Sequence, residues 1–189
     1  MSDIIDNADA FTKPSFTLMN RVRRALWGFT YSLFFYCSPR SAFKWRAFLL
    51  RLFGAKLGLG CHIYPKSVIW APWNLICEDV VAISDDAIIY NPSIITLSSH
   101  CTISQEAYLC GATHDYNNPF FPLISAPIHI GAYSWICARA TVLMGITVSE
   151  GAVLGISSLA THNLDPWTVY AGIPAKKIKE RINFHEPQS

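Results

Sequence analysis

Six histidines are the residues in this chain best suited to move a proton near neutral pH: His62, His100, His114, His129, His162 and His185. The ordinary pKa of an imidazole, about 6.5, leaves much of it neutral at pH 7 and able to accept a proton from a hydroxyl. His114 stands apart from the rest. Thr113 and Asp115 flank it in the segment Tyr108-Leu-Cys-Gly-Ala-Thr-His-Asp-Tyr116, where a regular upstream pattern breaks off. Two readings fit it: a general base at the mouth of a loop, or a loop histidine that caps a turn. For the other five a structural role fits better, with His129 on a strand and His185 in the tail. Zinc chemistry needs several converging ligands, yet no HxxxxH pair exists and the six cysteines form no CxxC pair. Those cysteines are Cys37, Cys61, Cys77, Cys101, Cys110 and Cys137. Several fall on or beside repeat positions, where a reduced thiol acts as a small hydrophobe.

The pattern that positions His114 has a period of six. An aliphatic or small residue returns at Ile130, Ile136, Val142, Val148, Leu154 and Ala160. Four positions after each of the first five come Ser134, Ala140, Ile146, Ala152 and Ser158. Neither a helix nor a plain alternating strand repeats this way. A hexapeptide repeat does, and it predicts a parallel β-helix in which each unit is one short strand and one corner. Upstream, Ile63, Ile69 and Leu75 share the period, then Cys77, Ile83 and Ile89, then Leu97, Ile103 and Leu109. Two-residue slips separate these runs, the second through Asn91-Pro92-Ser93, where a bulge is expected because proline cannot donate to a ladder. The predicted organisation is a helical cap over 1–60, a β-helix over 61–171 with an excursion loop at 115–127, and a short helix with tail over 172–189.

The cap is predicted from Met19, Val22, Leu26, Phe29 and Leu33, which follow helical spacing. A second helix is expected after Ser38-Pro39, an N-cap followed by proline, with Gly54 as its stop. The aromatic residues and arginines here suit either a cover for the open prism end or a membrane interface, and the apolar run is too short to cross a bilayer. The expectation is a cap with at most peripheral membrane contact. Hydrophobic residues make up 51% of the chain and charged residues 15%, which points to large buried surfaces. A net charge of +2 excludes a strongly basic nucleic-acid binder. The acidic start, MSDIIDNADA, does not read as a signal peptide, so the expected location is the cytoplasm, including the inner face of the membrane.

The repeat, the Tyr108–Tyr116 segment and the stretch Pro166-Trp-Thr-Val-Tyr-Ala-Gly-Ile-Pro-Ala-Lys176 resemble the left-handed β-helix O-acetyltransferases. The stretches Trp45-Arg-Ala-Phe-Leu-Leu-Arg-Leu-Phe-Gly-Ala-Lys56 and Ile69-Trp-Ala-Pro-Trp-Asn74 are similar to the colanic-acid branch, which acts in exopolysaccharide biosynthesis. The resemblance implies a left-handed coil, a homotrimer, acetyl-CoA as donor and a sugar or glycan acceptor, with lipid-linked acceptors included. It implies no metal. It makes His114 the catalytic base. It places Trp135, Ala138, Ile156, Thr161, His162, Lys176 and Lys179 along the CoA channel, the lysines near phosphates. His162 stands where relatives usually carry lysine, and Ile173 replaces a frequent asparagine. Asp85, Asn91 and Asp115 are candidates for the acceptor, though each also fits a turn. The alternatives are a zinc protein like the γ-class carbonic anhydrases and a non-enzymatic scaffold on the same fold.

Overall fold

In the computed structural model, which describes residues 3–5 and 8–185, the six-residue period becomes a three-faced parallel β-helix. The first face stacks Lys56–Leu57, Leu75–Cys77, Ile95–Leu97, Ile128–Ile130 and Thr147–Val148. The second stacks His62–Ile63, Ala82–Ile83, Thr102–Ile103, Trp135–Ile136, Val153–Leu154 and Thr168–Ala171. The third stacks Val68–Ile69, Ile88–Tyr90, Tyr108–Cys110, Thr141–Leu143 and Leu159–Ala160. Like sits on like: Ile63, Ile83, Ile103, Ile136 and Leu154 are in register along the second face, and all are buried. The aliphatic positions of the repeat are thus the prism core.

The corners explain the second element of the repeat. The edge entering the second face passes through Gly60, Val80, His100, Tyr133, Gly151 and Trp167, all at positive φ. The edge entering the third face uses Asp86, Glu106, Arg139 and Ser157 in the same way. The buried Ser134, Ala140, Ala152 and Ser158 each follow one of these residues. A left-handed residue turns the chain, and the small side chain after it fits inside the bend. Most of these turning residues are not glycine, so stacked corners hold the strained conformation.

The two slips lie on the edge between the third and first faces. One is the 3-10 turn Pro72–Asn74, the other the Asn91-Pro92 corner stacked upon it.

Helix α1, Leu18–Thr30, runs on into a π turn at Tyr31–Phe35, and α2 spans Phe43–Leu52. Gly54, at φ +95°, ends α2 with two bonds: its own N–H reaches Arg51 O, and Ala55 N–H reaches Leu50 O. α2 starts later than Ser38-Pro39 predicts. The Ser38 hydroxyl donates to Phe35 O and accepts from the Arg46 guanidinium, which also takes the carbonyls of Pro39 and Arg40. Those bonds hold the linker in a non-helical path. The helices cover the first coil through Trp27, Phe35, Leu49 and Leu50, which join Ile63 and Ile69 in one core. Each fully buried side chain of this size contributes about 1.5–3 kcal/mol. The predicted apolar face is not the covering face: Met19, Val22, Leu26, Phe29 and Leu33 point outward.

The excursion expected at 115–127 takes the form of a β-hairpin, with Ala112–His114 paired to Leu123–Ser125. One further expectation is corrected. The C-terminal segment is not a helix. Lys176–Glu180 is a strand, antiparallel to Thr168–Ala171. The last coil offers an open ladder edge, which outweighs the small tendency of so short a segment to form a helix. Arg181 then locks this strand down by donating to Tyr133 O and Gly151 O.

Burial pushes the Cys101 thiol up to about 12 and the Cys77 thiol well above its ordinary value. Both therefore stay protonated at neutral and mildly alkaline pH, while Cys37 is exposed. In the folded protein a thiol reagent at pH 8 is expected to modify Cys37 at least tenfold faster than Cys77 or Cys101. Equal rates, read by peptide mapping, would contradict the buried assignment.

Candidate active site

His114 ends the first strand of the hairpin, opposite Leu123. The hairpin leaves the prism at Gly111, where any side chain would press into the Tyr90 carbonyl oxygen at 2.6 Å. The imidazole is half-buried and held on two sides. Its ring stacks on Phe121 at 4.4 Å between centroids and 6° between planes. Its Nδ1 lies 2.7 Å from the Phe121 carbonyl oxygen. A carbonyl only accepts, so Nδ1 carries the hydrogen and Nε2 keeps its lone pair free. Phe121 sits at φ +47°, a left-handed conformation rare for an aromatic residue. The N-terminal segment braces it, since Phe11 stacks on Phe121 at 5.8 Å and Ala10 N–H donates to Phe120 O at 3.0 Å. Asp115 does not orient the ring; its carboxylate accepts from the Asn117 N–H at 3.0 Å and shapes the hairpin turn.

The other predicted residues fall on two edges. The second-face register extends to the edge beyond it and puts Asp85, Ala138 and Ile156 in one column. The Asp85 carboxylate pairs with Arg40 and accepts from the Lys66 N–H. Ile156 is 68% exposed, one coil along from small Ala138. Thr161 and His162 lie on the edge between the third and first faces, the edge from which the hairpin departs. The Thr161 hydroxyl is 2.8 Å from His162 Nδ1.

Trp135 projects from the second face and donates from Nε1 to Ser104 Oγ at 2.8 Å. It lines a shallow cleft with Val153, Val169 and Lys179. Lys176 and Lys179 are exposed on the last strand, whereas Lys177 is paired with Glu180. Asn91 is a correction. It is fully buried, and its amide bonds both the N–H and the carbonyl of Ala71, so it joins two coils and does not meet an acceptor.

A separate cavity lies between α2 and the first coil, lined by Phe43, Lys44, Gly58 and His62; none of the predicted site residues reaches it. Among the described residues, no three His, Cys, Asp or Glu side chains are grouped to hold a metal. Sequence reasoning missed the Phe121 carbonyl and Arg181. The first is a backbone group with no side-chain signature, and the second acts only because the tail is a strand.

A hexapeptide-coil prism with a histidine on a hairpin at one edge is the arrangement expected of the hexapeptide-repeat acyltransferases, though other proteins share the prism. Comparison with known proteins narrows this. The chain is 37% identical over 163 residues to the putative colanic acid biosynthesis acetyltransferase WcaF of Escherichia coli, covering 86% of this chain and 90% of that protein. Its fold matches the hexapeptide-repeat acetyltransferase VCA0836 of Vibrio cholerae at a TM-score of 0.80 and 19% identity, covering 88% and 95% of the two chains. A galactoside acetyltransferase solved with coenzyme A matches at 0.78 and 24% identity, covering 87% and 85%. No family model matches the chain. The chain belongs to the hexapeptide-repeat acetyltransferases, in the group of the colanic acid biosynthesis enzyme, and its fold is their left-handed parallel β-helix.

Proposed function

We propose that this acetyltransferase uses acetyl-CoA to O-acetylate a sugar hydroxyl in exopolysaccharide or related glycan biosynthesis. Transfer is direct, with both substrates bound together. The observation that carries this reading is the His114–Phe121 arrangement, which leaves Nε2 as a free base at the hairpin edge. Acetyl-CoA supplies the activated acetyl group. His114 Nε2 takes the hydroxyl proton as the sugar oxygen attacks, and the imidazolium can return it to the departing thiolate. The ring stays aligned throughout, because Nδ1–H keeps its carbonyl partner in both protonation states. The donor fits the chain's chemistry: exposed Lys176 and Lys179 for phosphates, and Trp135, Ala138 and Ile156 for an apolar arm. The named acceptors of relatives, a galactoside among them, support a sugar. The direct test is mass spectrometry of the exopolysaccharide with and without the protein. Loss of one O-acetyl group per repeat supports the reading, and an unchanged polymer overturns it.

The two edges make assembly part of this proposal. Within one prism the Asp85–Ala138–Ile156 column and the His114–Thr161–His162 edge flank opposite sides of the third face. That face presents Val68 and Ile88 outward, both about two-fifths exposed, with Tyr108 and Leu143 beside them. A homotrimer with third faces turned inward sets one subunit's first edge against its neighbour's second. Light scattering is expected to give three times the chain mass. Co-assembled His114→Ala and Ile156→Trp chains, each inactive alone, are expected to regain about a quarter of native activity, the chance share of sites with both edges intact. A monomeric mass, or co-assembly with no regain, would remove the shared site.

A further inference from the structure

The first third of the chain has a charge pattern that the acetyl-transfer site does not use. From Ala10 to Cys77 there is no aspartate or glutamate, yet this stretch holds ten of the fifteen lysines and arginines. The remaining residues carry all thirteen acidic groups. The cap and first coil are therefore rich in cations, with Asp3, Asp79 and Asp85 from outside this stretch packed against them at Asn20, Leu59 and Arg40.

The helices at that end are turned the unexpected way round. Arg23 stacks over Trp73 at 4.2 Å and Arg24 over Trp70 at 4.1 Å, so these two arginines face the prism. The apolar stripe of α1 faces solvent, with Leu26 59% and Phe29 65% exposed. The stripe continues through Leu33 and Phe34 in the π turn. It then passes to α2, because Trp45 Nε1 donates to Phe34 O at 2.8 Å, and on to Phe48 and Leu52. Three successive elements thus present one apolar, aromatic-rich surface. Arg21, Lys44 and Arg51 are exposed on the same two helices. No helix among the described residues is long and apolar enough to cross a membrane.

We propose that this surface docks on an anionic phospholipid bilayer, lying in the interface while the prism stands in water. Apolar side chains enter the acyl boundary, aromatic rings sit at headgroup level, and the cations meet lipid phosphates. A second copy of the chain is a poorer occupant. A twofold contact sets the patch against itself and brings its exposed cations Arg21, Lys44 and Arg51 toward their own copies. Resting on the glycan reading above, docking also names the acceptor class: a sugar carried on a membrane lipid, presented at the surface where the enzyme sits.

The test is flotation of the full chain with vesicles of phosphatidylglycerol and phosphatidylethanolamine, against vesicles of phosphatidylcholine. Binding is expected to the anionic vesicles only, weakening as salt rises. Leu26→Gln combined with Phe29→Gln is expected to weaken it at least tenfold. Arg21→Gln with Lys44→Gln is expected to weaken it about fivefold per charge at low salt. None of these residues belongs to the proposed acetyl-transfer site, so turnover on a soluble acceptor is expected to stay native. Protein that remains unbound at every salt concentration overturns the proposal. So does a Leu26/Phe29 double variant whose assembly mass falls, since the face then packs on another copy. Vesicle binding is read without catalysis. A chain that binds vesicles but acetylates nothing loses the glycan reading and keeps the docking face; one that acetylates without binding loses the docking face alone.

Discussion

Replacing His114 with alanine is expected to lower kcat by about 10²–10⁴-fold with a competent acceptor, the scale of general acid–base loss. The Michaelis constant for the donor and the assembly mass are expected to hold, because the proposed donor contacts lie on other elements. Phe121→Ala separates position from chemistry. It keeps the carbonyl that fixes Nδ1 but removes the ring stacked at 4.4 Å. A loss of about tenfold to a hundredfold is expected, with the donor's Michaelis constant unchanged. Near-native turnover in His114→Ala would move the base elsewhere, and His162 becomes the next residue to change.

The largest expected loss of stability comes from Arg46. The side chain is fully buried on α2, and its guanidinium donates to Ile63 O at 2.6 Å, Pro39 O and Arg40 O at 2.7 Å, and Ser38 Oγ at 2.8 Å. It joins the cap, the linker and the first coil at one point. Arg46→Met fills similar space but leaves these acceptors without a donor, and the expected cost is about 3–5 kcal/mol. Arg46→Lys keeps the charge without the planar fork and is expected to recover only part of the loss. A denaturant midpoint within experimental scatter of the native protein for Arg46→Met would show that water or backbone shifts replace the arginine. Activity per folded molecule is expected to be unchanged, because α2 lies at the other end of the coil stack from the donor cleft.

The prism was legible because its signal is repeated. Ile130 through Ala160 keep one register, and every member is buried as the period demands. The small residues at Ser134, Ala140, Ala152 and Ser158 also marked the corners correctly, though not the left-handed residue before each. That residue is Tyr133 at one corner and Arg139 at the next. No single type recurs, because stacking rather than composition sets the conformation. The cap was legible in its elements and not in its orientation. Helical spacing finds the stripe from Met19 to Leu33, but it cannot say whether that stripe or the Arg23–Trp27 side meets the prism. The tail was misread because its strand depends on an unfilled ladder edge elsewhere in the chain. His114 was visible as a residue; the Phe121 carbonyl that fixes its tautomer was not. Asn91 looked polar and available, and only the stacked Ala71 corner shows why it is neither free nor exposed.

The hairpin has a consequence for how such an enzyme can diversify. Ile83 and Ile103 are twenty residues apart, and Ile103 and Ile136 thirty-three, yet all three stack in one column. The extra chain leaves at Gly111 and rejoins before Ile128 without shifting the next coil. Closing a loop of twice the length costs only about 0.6 kcal/mol more. Lengthening, trimming or exchanging residues 116–119 at the hairpin tip, with Phe121 kept against His114, therefore leaves the scaffold almost untouched while it rebuilds the wall beside the proposed base. New acceptor preferences can arise there by insertion and deletion, in steps that substitutions within the tightly stacked coils could not take without disturbing their neighbours.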